Sequence, residues 1–185
     1  MPIDTHTLIW IFPIAFMFHD FEEIILGEPW LRKNAGEIKD RIKDRVPAFL
    51  ANQIGAVLNK SATELAFPVS LIFSLTFISS FLAVEYGKYG FFLLASGAFF
   101  LHGFMHLGQA IILRRYIPAI VSSVLIVIPY GPVLYRRLIN EGMVDMSGLP
   151  IYFLLAMTLT IPFILVMHTA GDYLYKKTVR FLIPL

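Results

Sequence analysis

The chain of 185 residues contains no cysteine and little charge, since only 15% of its residues are Asp, Glu, Lys or Arg. Without cysteine there is no disulfide, thiolate metal ligand or thiol nucleophile, so any bound metal must take nitrogen or oxygen ligands. Soluble domains are about a quarter charged. This chain is instead 57% hydrophobic, with a mean hydropathy of +0.72. The composition favours a bilayer environment and argues against a nucleic-acid partner.

Five stretches of mostly apolar residues are long enough for helices that cross a bilayer, which takes about 20 residues. They cover roughly residues 7–26, 61–84, 89–113, 117–138 and 149–174. Between the first two, Glu28 to Lys60 alternates charged and apolar residues, which predicts an amphipathic interfacial helix broken at Pro47. With no repeat or long linker, residues 1–185 are predicted to form a single transmembrane domain, an all-α polytopic bundle of about five spans.

Lysine and arginine are concentrated in the first predicted loop, the third loop and the C-terminal tail, with few on the opposite side. Because positively charged loops stay on the cytoplasmic side of a membrane, this distribution predicts the orientation. We expect a multi-pass cell membrane protein with its N-terminus outside and its C-terminus in the cytoplasm.

Histidines and carboxylates spaced by one helical turn occur in three of the predicted spans, and this spacing places such residues on one helix face. They are His19, Glu22 and Glu23 within the sequence HDFEE of the first span, His102 and His106 in the third, and His168 and Asp172 in the fifth. Alternate spans run in the same direction, so all three groups are expected to converge at one depth near the cytoplasmic side. Glu64, near the start of the second span, is expected to reach the same level or to serve in a capping box with Ser61.

Ionisable residues inside a bilayer cost a few kcal/mol each and need a compensating agent. Protonation, a bound cation, or contact with lysine and arginine at the interface would each serve. Imidazole and carboxylate ligands suit a divalent transition metal, with zinc preferred and iron or manganese as alternatives. The histidines, Asp172 and the two glutamates are the candidate ligands, and Glu22 or Glu23 is the candidate general base. A mononuclear and a dinuclear centre both remain open.

Further pocket candidates follow the third span. Gln109 lies one turn beyond its second histidine, and Arg115 and Tyr116 begin the next loop. Arg115 is interpreted first as an anchor at the membrane surface and second as a binder of a lipid head group or phosphate.

The ordered motifs resemble the HXXEE family of prokaryotic integral membrane proteins. The resemblance rests on HDFEE at residues 19–23, on the later pair His102 and His106, and on the basic Tyr-x-Pro stretch that contains Tyr116 and Pro118. The family name records a motif rather than an activity. The resemblance therefore implies a membrane protein with a site at these residues, and it leaves the reaction open.

The leading hypothesis is a membrane-embedded, metal-dependent hydrolase that acts on a membrane lipid or another apolar small molecule from the cytoplasmic side. One alternative is a transporter or an ion- or proton-binding membrane protein that uses the same cluster. Another is a metal-free isomerase similar in architecture to emopamil-binding protein, a comparison that rests on no sequence motif. Homo-oligomers remain open.

Overall fold

The computed structural model describes residues 3–42, 47, 55 and 59–182, and these residues form five helices and no strand. The helices are α1 (Thr5–Ile42), α2 (Ala62–Tyr86), α3 (Tyr89–Leu113), α4 (Ile120–Ser122, a π-helical turn at Ser123–Val127, and Ile128–Asn140) and α5 (Leu149–Leu182). The predicted all-α class is confirmed.

Three helices of the described part of the chain, α2, α3 and α5, are long and apolar enough to cross a membrane. They coincide with the second, third and fifth predicted spans. The first predicted span lies within α1, which also contains the HDFEE sequence and a polar extension. All but the first three residues of the fourth span lie within α4, which the π-helical turn interrupts.

The polar extension of α1 runs from Glu28 to Ile42 without a break, although Pro29 lies within it. The first part of the predicted interfacial segment is therefore a continuation of the first helix. Most of its remainder, residues 43–46, 48–54 and 56–58, lies outside the described residues.

Neighbouring helices alternate in direction. Phe12 contacts Phe92, and two turns later His19 contacts His106, so α1 and α3 run the same way. The same holds for α3 and α5, whose contacts advance together along both helices: Gly90 with Tyr152, then Gly97 with Ala156. α2 packs against α1, α3 and α5. It runs in the opposite direction, because Ser80 near its end contacts Ile9 near the start of α1, and Leu65 near its start contacts Gly27 further along α1.

Aromatic rings fill the space between α1 and α3. Phe12 and Phe92 are fully buried and meet edge to face at 5.6 Å between ring centroids. Phe16 and Phe99 continue this layer, and Phe99 also contacts the ring of His19. A desolvated aromatic layer thus covers one side of the histidines, and each such ring buries a large apolar area.

The helices α3 and α4 approach closely at Gly103, next to His102. A Cβ atom at Gly103 would lie 2.9 Å from Cγ1 of Val127, the last residue of the π-helical turn. Glycine at this position lets the backbone of α3 approach the turn. The contact fixes the distance between the histidines of α3 and the start of α4.

Candidate metal centre

Four of the predicted site residues meet between α1 and α3. His19, Glu23, His102 and His106 each offer one ligand atom, and these atoms all lie within 4.8 Å of one another. His19 is fully buried and His106 is 6% exposed. The groups on the parallel helices α1 and α3 therefore converge, whereas the predicted third group, His168 and Asp172, does not join them.

The donor set and its spacing suit a transition metal ion. Tetrahedral zinc with ligands at about 2.0–2.1 Å needs ligand atoms about 3.3–3.5 Å apart. The Nε2 atoms of His102 and His106 are 2.9 Å apart, and the widest separation in the group is at most 4.8 Å. Small side-chain rotations would bring all four atoms into one coordination sphere.

Three ring nitrogens of this cluster are buried and have no hydrogen-bond partner among the described residues: Nε2 of His19, Nδ1 of His102 and Nδ1 of His106. An unsatisfied buried polar group costs about 1–3 kcal/mol. A bound metal ion would satisfy Nε2 of His19, because the lone pair of a neutral imidazole is a metal ligand. In His102 and His106 the nitrogens that face each other are the Nε2 atoms, so their Nδ1 atoms are not the candidate ligand atoms.

Glu22 points away from this group, to the beginning of α4. There Ala119 has a left-handed backbone (φ 67) and precedes the first turn of the helix. The backbone N–H groups of Val121 and Ser122 donate to Glu22 at 3.2 and 2.7 Å, and the Tyr116 hydroxyl donates to it at 2.8 Å. A carboxylate at a helix N-terminus is stabilised by the helix dipole. Glu22 thereby anchors α4 to α1.

Ser122 connects Glu22 to the cluster and is not among the residues predicted from the sequence. Its hydroxyl lies 2.6 Å from Glu22 and 3.2 Å from Nδ1 of His19. A single serine about 100 residues from the motif carries no pattern in the sequence, so only the fold identifies it.

Asp20 is buried beside the cluster, at 6% exposure, and its Oδ2 atom has no partner among the described residues. It lies one turn before Glu23 on α1 but is not part of the group of four.

His168 and Asp172 lie outside the group of four and contact a lysine instead. Nζ of Lys60 is 2.6 Å from Oδ1 of Asp172 and 3.2 Å from Nδ1 of His168. Lys60 is almost buried, at 8% exposure. This second cluster therefore contains its own cation.

Glu64 forms a capping box with Ser61, which is one of the two roles predicted for it from the sequence. Its carboxylate accepts from the Ser61 backbone N–H at 2.9 Å, and its own N–H donates to the Ser61 hydroxyl at 3.3 Å. Beside this cap lies a cavity of about 290 Å³. The polar residues that line it are Glu28, Arg32, Asn59, Lys60, Ser61 and Glu64.

Glu28 also caps α2, because its Oε2 atom accepts from the backbone N–H of Ala62 at 2.8 Å. This hydrogen bond and the one from Arg32 lower the pKa of Glu28 below its ordinary value of 4.5. The carboxylate therefore stays ionised and ties the polar extension of α1 to the start of α2.

Arg115 and Tyr116 hold the loop between α3 and α4 against α1. Arg115 forms a two-pronged ion pair with Glu37, with N···O distances of 2.9 and 3.0 Å, and Trp30 donates to the carbonyl oxygen of Tyr116 at 2.8 Å. Partial burial and the hydrogen bond to Glu22 raise the pKa of Tyr116 above its ordinary value of 10, so its hydroxyl remains a donor. Gln109 is exposed.

The fold and the cluster define a helical bundle protein with membrane-length helices and a buried histidine and glutamate site. The chain belongs to the family described as "Protein of unknown function with HXXEE motif", whose model matches residues 10–134, more than half of the chain. The predicted family is thus confirmed. Comparison with curated proteins and with solved structures gives no match.

Proposed function

We propose that this chain is a membrane-embedded metalloenzyme that binds one divalent transition metal ion through His19, His102 and His106, with zinc preferred and iron or manganese as alternatives. The observation that carries the proposal is the convergence of these histidines and Glu23 within 4.8 Å. Nε2 of His19, one of these candidate ligand atoms, is also buried without a partner among the described residues.

Glu23 is the residue that decides the chemistry of the site. Among the described residues no lysine or arginine forms an ion pair with it, so its carboxylate is available as a fourth ligand or as a general base toward water. The ion, when bound, would supply Lewis-acid polarisation of a substrate carbonyl or phosphoryl oxygen. Three histidines with an adjacent carboxylate favour hydrolysis.

The surroundings of the cluster favour a lipid or another apolar molecule as the substrate. Phe18 and Phe21 flank His19 on α1 and are 60% and 48% exposed. Phe104 and Met105 lie between the two histidines of α3 and are exposed as well. In a bilayer these side chains would contact acyl chains, so an apolar substrate could approach the cluster laterally.

We place this site on the cytoplasmic side, with the N-terminus outside and the C-terminus in the cytoplasm, as the lysine and arginine distribution predicts. Fusion of a reporter that is active only outside the cell, placed at either terminus, tests this orientation. Activity of the C-terminal fusion alone would overturn it.

Elemental analysis of the detergent-purified protein tests the metal site. The wild type is expected to hold close to one ion per chain after dialysis against a weak chelator, and His102→Ala/His106→Ala is expected to hold none. The matched controls are His6→Ala and His168→Ala, and both should keep the ion. His6 is an exposed histidine before the first predicted span. A wild type that holds no metal and binds none on reconstitution contradicts the proposal.

Glu23→Gln separates binding from turnover. If Glu23 is the base, the variant keeps at least part of its metal but no longer hydrolyses fluorogenic lipid esters or phosphodiesters in proteoliposomes. Wild-type protein that moves radioactive zinc across the liposome membrane without hydrolysing any of these substrates would overturn the hydrolase and assign transport to the same cluster.

A further inference from the structure

The two glutamates of the HDFEE sequence are consecutive residues, so their side chains lie about 100° apart around the helix. Their surroundings differ accordingly. Glu23 belongs to the group of potential ligands, whereas Glu22 contacts α4. We propose that Glu22 is a positioning residue rather than a ligand. Through Ser122 it fixes His19 in the tautomer that carries its proton on Nδ1 and leaves Nε2 free for the metal. This inference rests on the proposed metal site.

The hydrogen bonds of Glu22 leave it without a lone pair for a metal. An ionised carboxylate has about four acceptor positions. Four donors occupy them: the Tyr116 hydroxyl, the Val121 N–H, the Ser122 N–H and the Ser122 hydroxyl, at 2.8, 3.2, 2.7 and 2.6 Å. To act as a ligand, Glu22 would have to release the first turn of α4.

The single proton of the Ser122 hydroxyl determines the tautomer of His19. At 2.6 Å from a carboxylate oxygen, the hydroxyl donates to Glu22 in a charge-assisted hydrogen bond. Its oxygen can then only accept from the histidine ring, so Nδ1 of His19, 3.2 Å away, is the donor. A neutral imidazole carries one N–H. Nε2 of His19 is therefore the unprotonated nitrogen, and it is the same atom that is buried without a partner in the described part of the chain.

This arrangement is how proteins orient metal-binding histidines. The second ring nitrogen donates to an oxygen that is itself held, and loss of that partner typically reduces metal affinity 10–100-fold. Here the oxygen belongs to Ser122, and the backbone of α4 holds both it and Glu22. The HDFEE sequence then combines a candidate ligand (His19), a positioning carboxylate (Glu22) and a candidate ligand or base (Glu23).

The tautomer is measured directly by ¹⁵N NMR of histidine-labelled, metal-free protein in detergent. Wild-type His19, assigned by its loss in His19→Gln, is expected to show the Nδ1–H form. Ser122→Ala is expected to lose that preference, and Ser122→Thr, which restores a hydroxyl, to regain it. Ser123→Ala is the matched control: it removes a neighbouring buried hydroxyl that donates to the Ala119 carbonyl. An unchanged Nδ1–H form in Ser122→Ala overturns the inference.

Zinc affinity measured by chelator competition on the same folded variants gives the second readout. Ser122→Ala is expected to bind zinc about 10–100-fold more weakly than Ser123→Ala, and Ser122→Thr to recover most of the loss. If the wild type binds zinc but Ser122→Ala and Ser123→Ala bind it equally well, the inference fails and the proposed function stands. If the wild type binds neither zinc nor iron nor manganese, the proposed function fails, and the tautomer comparison alone then decides the role of Ser122.

Discussion

Gly103→Ala is expected to destabilise the bundle and to disturb the histidine cluster. The new Cβ atom would lie 2.9 Å from Cγ1 and 3.2 Å from Cβ of Val127. Real Cβ contacts are not this short, and the β-branched side chain of Val127 has little rotamer freedom in a helix. The backbones of α3 and α4 must therefore separate.

Gly108→Ala is the control against which the loss of stability in Gly103→Ala is measured. It lies on the same helix, and a Cβ atom there meets nothing within 4 Å. Both substitutions gain the helix preference of alanine over glycine, about 0.5–1 kcal/mol. Overpacking costs about 1–3 kcal/mol and applies only to Gly103. The two variants should therefore differ by about 1–3 kcal/mol in free energy of unfolding.

Unfolding in mixed micelles, followed by far-UV circular dichroism, measures this difference. Gly103→Ala/Val127→Ala is expected to recover part of the loss, because it removes the closer of the two contacts. Gly103→Ala should also bind zinc more weakly, since the shift moves His102 relative to His19. If Gly103→Ala and Gly108→Ala are equally stable, the close approach of α3 to the π-helical turn is wrong.

Three further predictions concern the rest of the bundle. Arg114→Gly is expected to raise the unfolding midpoint in detergent, since Arg114 ends α3 with a left-handed backbone (φ 52) that costs a non-glycine residue about 1–2 kcal/mol; an unchanged midpoint would contradict this. Asp172→Ala should lower the free energy of unfolding by about 1–3 kcal/mol, because it leaves the buried Lys60 cation without its carboxylate, and Asp172→Ala/Lys60→Met should recover much of that loss. Because the folded pKa of Glu28 is lowered, this residue stabilises the fold above pH 4.5 and loses that contribution as the pH falls through the lower folded value. Glu28→Gln should therefore reduce stability at neutral pH more than at acidic pH, and an equal loss at both would refute the assignment.

The helical class could be predicted because the length of an apolar stretch sets the length of a membrane helix. The polar extension of α1 could not, since Pro29 and its charges favour a boundary there. Contacts from elsewhere in the chain hold it instead: Trp30 with Tyr116, and Glu37 with Arg115. The π-helical turn of α4 packs through Val127 against Gly103, and this contact with another helix has no signature in the sequence.

Helical spacing indicates which residues share a face, but it does not give the direction in which that face turns in the bundle. His19 and Glu23 meet the histidine pair of α3 because α1 and α3 are parallel neighbours. Glu22, at i+3 from His19, is predicted to share a face with Glu23 at i+4, yet it is turned by about 100° from Glu23 toward α4. Sequence spacing alone cannot separate a ligand from a residue that orients one.

The two polar clusters also differ in how their charge is compensated, and this difference favours a single ion. Lys60 already neutralises Asp172 and contacts His168, so that pair offers no net negative charge to a metal. A resident ammonium group would also repel a divalent cation. Around His19 and Glu23, by contrast, no lysine or arginine forms an ion pair with the cluster in the described part of the chain. Protonation or an added cation must balance Glu23 there, and the unpartnered nitrogen of His19 favours the cation.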